Sequence, residues 1–140
     1  MSIKAIQFLV PAAIIFHGIG HIMGILTALK IINTETWHSR SWLLTNALGD
    51  TPTRIIALIL WVICVVGFIA AGAGAFGWQV TAANWRMIVV VVSIVSLVTL
   101  AVFWNAFAVF FPNKLGCIVF NVAALVSILM LNWPSTEIIP

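Results

Sequence analysis

The sequence predicts an all-α fold: an integral membrane four-helix bundle with a short interfacial helix between the first and second spans. Three observations predict it. Hydrophobic residues fill 64% of the 140 positions and charged residues only 6%, a balance that a soluble domain of this size could not cover with polar surface. Four stretches reach the length of about 20 apolar residues that a helix needs to cross the hydrocarbon core of a bilayer. Lysine, arginine and most tryptophans fall at the ends of those stretches, where a membrane-spanning helix places its anchors. The whole chain, 1–140, reads as one four-span domain.

The first span runs roughly from Ile3 to Leu29. Its apolar run is too long for a removable signal peptide, Pro11 and two histidines interrupt it, and no small-residue cleavage pattern closes it. It is therefore expected to be retained. Between Lys30 and Gly49, Trp37, Leu44 and Leu48 share a helical face opposite polar residues, the pattern of a helix lying on the membrane surface. The second span runs from about Arg54 to Phe76, with Asp50-Thr51-Pro52 supplying an N-cap and a proline preset for the first turn. The third, from Trp85 to Phe111, is capped by Asn84. Pro112-Asn113 then stops it and caps the fourth, Leu115 to Trp133.

Trp37 and Trp42 mark one interface and Trp78, Trp85 and Trp133 the other, while Trp61 and Trp104 stay within the membrane. Lys30, Arg40, Arg54 and Lys114 lie on the face that carries the first and third connections, against Lys4 and Arg86 on the other. By the positive-inside rule both termini lie outside the cytoplasm of a multi-pass cell-membrane protein. Six scattered cations form no patch for nucleic acid. Cys64 and Cys117 both fall inside spans, where a stabilising disulfide is not expected.

Against this apolar background one stretch stands out, FHGIGHIMG, Phe16 to Gly24. On a helix His17, Gly20, His21 and Gly24 form one stripe. Glycines at that spacing let another helix approach closely, so the stripe faces protein. Polar side chains near the midplane of a membrane are costly and mark functional sites. At a rise of about 1.5 Å per residue, His17, His21, Trp61, Asn105 and Asn121 reach one layer from four helices. Gly67 and Ala71 give the second span a small-residue stripe that could dock another copy or a larger subunit. The hydroxyls of Ser93, Ser96 and Thr99 drift around the third span and have their own helix carbonyls as partners.

Four uses of the layer follow from these residue types. The first is a hydrogen-bond network that fixes helix register. The second is a metal site built on His17 and His21 and completed by Cys64, Cys117, His38 or Glu35. The third is a small hydrophobic ligand such as a quinone or lipid. Haem fits worst, because two histidines on one face of one helix cannot take opposite sides of a macrocycle. No Asp or Glu lies inside a span, which disfavours an ion-coupled transporter, and no nucleophile, base and orienting acid can be assembled for hydrolysis. The expected role is an accessory or structural subunit, or a self-associating bundle, in contact with lipid and not an enzyme. A protein that holds a metal or hydrophobic cofactor through His17 and His21 is the alternative.

HGIGHIMG, SWLLTNALGD, RIIALILWVICVVGFIAAG, the serine-bearing third span ending near FWN, and an asparagine in the fourth together resemble a family of small four-span bacterial and archaeal membrane proteins. A more distant similarity links the chain to the DoxX-like four-helix membrane proteins, whose first span also carries an HG pair in an apolar run. The resemblance implies a four-span architecture and brings no activity, ligand or catalytic residue with it.

Overall fold

The computed structural model describes residues 2–106 and 110–139, and among these no strand occurs. Helix α1 covers Ile3–Gly20 and α2 Ile22–Ala28. Together they form one apolar rod, long enough to cross a membrane and interrupted only at His21. Ser2 caps its start, its Oγ accepting from the Ala5 N–H at 3.3 Å. The remaining long helices are α4, Asp50–Ala75, α6, Trp85–Val102, and α7, Leu115–Leu129, the last preceded by a wider turn over Phe110–Lys114. The rod, α4, α6 and the stretch Phe110–Leu129 that contains α7 are each long and apolar enough to cross a membrane. Two four-residue helices, α3 (Thr45–Leu48) and α5 (Gln79–Ala82), sit in the first and second connections.

Local chemistry sets the ends, in places against expectation. Helix α4 starts four residues earlier than predicted, because Asp50 and Thr51 join the helix and Gly49 takes the N-cap position without a side-chain bond. Its far end is closed by Gly77 at φ 93°: the Gly77 N–H bonds the Gly74 carbonyl and the Trp78 N–H bonds the Ala73 carbonyl. That double closure needs a left-handed residue, which glycine supplies without strain. The predicted surface helix in the first connection shrinks to Thr45–Leu48, and the residues before it form an irregular but well-bonded loop. Ser41 explains part of this, since its Oγ is already engaged with the Val102 carbonyl at 2.5 Å and with the Leu43 and Leu44 N–H groups. Helix α6 ends at Val102, short of the predicted Phe111, and turns through Trp104–Ala106. Phe107 to Val109 of that prediction lie outside the described residues.

Packing is sequential: α1 lies on α4, α4 on α6 and α6 on α7. Polar residues share the interior with the apolar core, and many large apolar side chains lie on the outside. Thr53, Ser93, Ser96, Thr99 and Asn121 are completely enclosed, whereas Phe16, Ile59, Val66, Val98 and Leu129 are exposed on the outer faces. Trp85, predicted as an interface anchor, is instead 2% exposed and packed into the core. Arg86 beside it bonds the Pro134 carbonyl and the Asn132 Oδ1, tying down the chain beyond α7.

Candidate metal centre

The interruption of the first rod positions the histidines. The His21 N–H bonds the Gly18 carbonyl and the Gly24 N–H bonds the His21 carbonyl, at 3.1 and 3.0 Å. These i−3 contacts tighten one turn. His17 in the last turn of α1 and His21 at the junction then meet edge to face, their ring centroids 4.8 Å apart. An aromatic wall fixes both. His17 stacks on Phe120 at 3.9 Å with its edge toward Phe68, and His21 stacks on Trp61 at 5.4 Å and on Phe68 at 5.7 Å. Parallel and edge-on contacts at these distances hold rings in defined orientations.

Hydrogen bonds link the imidazoles to α6 and α7. Asn121 Nδ2 donates to the Cys117 carbonyl at 2.8 Å and faces Ser96 Oγ at 3.0 Å, His17 Nε2 at 3.3 Å and Cys117 Sγ at 3.3 Å. Ser96 Oγ in turn lies 3.3 Å from His21 Nε2 and 3.5 Å from Cys117 Sγ. An amide nitrogen carries two hydrogens and no lone pair to share. Asn121 therefore presents two hydrogens to four neighbouring acceptors, and where His17 Nε2 takes one of them it does so as the unprotonated ring nitrogen. The Asn121 Oδ1 and Ser93 Oγ, both enclosed, have no hydrogen-bond partner among the described residues.

Three of these side chains form a compact set of metal-ligating atoms. One ligand atom each from His17, His21 and Cys117 lies within 4.8 Å of the others. Bonds of about 2.0 Å to nitrogen and about 2.3 Å to sulfur require the atoms to draw in by roughly an ångström. The set borders a cavity of about 400 Å³ whose lining also includes Gly20, Met23, Trp37 and Asn113. Trp37 belongs to the first connection and Asn113 to the third, so the cavity extends to the end of the bundle that carries those connections.

The layer predicted from sequence is therefore assembled by His17, His21, Trp61 and Asn121, but not by Asn105. That residue is exposed, and its Oδ1 accepts from the Trp42 N–H at 3.0 Å in the loop contact below the bundle. The early end of α6 moves it out of the helical register that its predicted depth assumed. Nor does Gly20 pack: a Cβ there would meet nothing within 4 Å, whereas one at Gly24 would lie 2.5 Å from the Trp61 ring and one at Gly18 2.8 Å from Phe68 Cβ. Gly67 abuts Val92 of α6 and Ala71 is wholly enclosed, so the small-residue stripe of α4 is covered within the chain. Ser96 joins the layer instead of bonding back to its helix as Thr99 does to the Val95 carbonyl. Phe68 and Phe120 are the residues that sequence reasoning missed; seven residues separate Trp61 from Phe68, two full turns along one face.

A separate polar pocket of about 180 Å³ lies at the connection end, between Lys30, His38, Arg40, Asp50 and Arg54. Arg40 Nε pairs with Asp50 Oδ1 at 3.4 Å, and partial burial together with the Arg40 charge pushes the His38 pKa below its ordinary value. Compared with known protein families, characterised proteins and solved structures, the chain matches none.

Proposed function

We propose that this chain is a multi-pass integral membrane protein whose buried layer binds a metal ion through His17, His21 and Cys117. The observation that carries the reading is the convergence of three ligand atoms from α1, the α1–α2 junction and α7 on the wall of a 400 Å³ cavity. A network serving only to fix register has no need of that space. The accessory-subunit reading drew on the small residues of α4, which the chain covers itself. Insertion in a bilayer is supported by the four apolar helices with their exposed Val, Ile, Leu and Phe faces, a surface that lipid accommodates and water does not. The excess of Lys30, Arg40, Arg54 and Lys114 supports a cytoplasmic position for the cavity mouth and outside positions for both termini.

Metal analysis of protein extracted in chelator-free detergent tests the site. Stoichiometric metal is expected in the native protein and none in the His17→Asn/His21→Asn double variant, provided the variant keeps its helical content. Protein that neither retains nor takes up any transition metal would refute the reading. Fusions of alkaline phosphatase and of a fluorescent protein to the C-terminus test the orientation, with an active phosphatase expected.

A further inference from the structure

Resting on the metal-site reading above, we infer that the ion held by His17, His21 and Cys117 is monovalent copper, Cu(I), and that the site discriminates against zinc by charge. Two imidazoles bind metal in their neutral form and a cysteine binds as the thiolate, so the donor set carries one negative charge. Cu(I) brings that sum to zero. Zinc leaves a positive charge in a region whose walls are Phe68, Phe120 and Trp61.

No anionic side chain lines the cavity to offset that second charge. The acidic residues of the chain are Glu35, Asp50 and Glu137, and none of them lines the cavity. An uncompensated charge within a membrane costs about 3 kcal/mol even on lenient scales. Zinc would have to recruit hydroxide as a fourth ligand to become neutral. The donors are also soft, and Met23 lines the cavity that the two histidines and Cys117 border. Thiolate and thioether sulfur select Cu(I) and zinc over the hard cations that carboxylate and carbonyl oxygen favour, so the choice between these two ions rests on charge.

The surrounding hydrogen bonds suit a bound thiolate. Asn121 Nδ2 at 3.3 Å and Ser96 Oγ at 3.5 Å already face Cys117 Sγ, and both can donate to sulfur that has lost its proton. Such outer contacts orient ligands and tune their basicity. Binding is a ligand exchange without electron transfer: the Cys117 S–H bond breaks, the S–Cu bond forms, copper stays in its +1 state, and one proton leaves through the cavity to solvent.

The test uses the full chain in detergent under anaerobic conditions, with Cu(I) delivered from a bicinchoninate complex and Zn(II) from a chromophoric zinc chelator. One Cu(I) per chain is expected, with release of about one proton and a preference over zinc of about 100-fold, the burial cost above expressed as an affinity ratio. Cys117→Ser should weaken Cu(I) binding by more than tenfold, the lower limit seen for loss of outer-shell contacts alone. Met87→Leu, on an exposed part of α6, should leave binding unchanged. Should Cys117→Ser fail to fold, alkylation of Cys117 in the native protein reports the same contact, with protection by Cu(I) and none by zinc at equal concentration. Zinc bound as tightly as Cu(I), with the same dependence on His17, His21 and Cys117, would overturn the copper assignment and leave the metal site standing. Failure of both ions to bind would overturn the two together.

Discussion

The first rod meets the rest of the bundle along two seams of opposite character. Against α4 it is closed by backbone proximity: Gly18, Gly24 and Gly72 each lie where a single added carbon would strike the neighbouring helix. Toward α7, no comparable backbone contact forms among the described residues. There His17 bridges the gap, stacking on Phe120 and accepting from Asn121. An apolar slot lined by Val10, Ala13, Ala123 and Ser127 lies to one side of this bridge, and the 400 Å³ cavity to the other. The tight seam leaves no space for an added side chain, and the loose one leaves a cavity. The chain has concentrated close packing on one side of the histidines and polar contacts on the other.

The sharpest way to break this contrast is to crowd the tight seam. Gly24→Val places branched carbons inside the Trp61 ring and cannot be absorbed by a flexible side-chain end. Overpacking of this kind costs up to about 3 kcal/mol, so a large drop in thermal stability in detergent, or loss of monodisperse protein, is the expected result. Gly18→Val should behave similarly against Phe68. A Gly24→Val protein as stable as the native one would mean that α2 does not lie against α4.

Removing the polar bridge should cost less. Asn121→Leu keeps the number and branching of the heavy atoms but leaves Ser96 and His17 without their shared donor, and an orphaned buried polar group costs about 1–3 kcal/mol. Stability measured by denaturant titration in mixed micelles should fall within that range. Circular dichroism should stay helical, since the α1–α4 seam is untouched. If Asn121→Leu instead raised stability, the bridge would be a functional compromise and not a support.

How much of this was legible in the sequence follows from the same contrast. Apolar length alone reveals four helices, because a span is defined by the solvent it must satisfy. His17, His21 and Asn121 could be placed because helical depth counts reliably from a well-marked end. Asn105 was misplaced because its depth was counted from Phe111, where Pro112-Asn113 marks a stop, whereas α6 ends at Val102, inside an apolar run that carries no such mark. Gly20 and Gly24 are identical in sequence terms, and the tightened turn at His21 decides which one meets a neighbour. The role of Ser96 depends on a cross-helix contact with His21, which no pattern along α6 encodes.

The loop contacts at the cavity end supply a weaker effect. Asn105→Ala removes the acceptor for the Trp42 N–H and should cost about 1 kcal/mol. Limited proteolysis between Lys30 and Leu48 should quicken while metal content is unchanged. Acid should act in the same direction. His38 accepts from the Arg40 N–H through Nδ1 at 3.2 Å, and its pKa in the folded protein is lowered by burial and by the Arg40 charge. The folded state then binds fewer protons than the unfolded one, so the stability His38 contributes is present above pH 6.5 and is lost as the pH falls below it. His38→Asn should flatten that dependence; an equally steep response in the variant would assign it to another group.

The smallest effect distinguishes the two seams at a single residue type. Gly20 differs from Gly24 by one turn of helix, yet a carbon added at Gly20 enters open space. Gly20→Ala should change stability by no more than about 0.5 kcal/mol, with any gain arising from the greater helix propensity of alanine at the last position of α1. Because Gly20 lines the cavity beside His17, His21 and Cys117, a larger side chain there acts on access. Gly20→Leu should slow alkylation of Cys117 by a soluble maleimide while the melting temperature stays near that of the native protein. A Gly20→Leu protein that melted as early as Gly24→Val would show the α1–α7 side to be packed as closely as the α1–α4 side, and the cavity would lose its claim to be space reserved for a ligand.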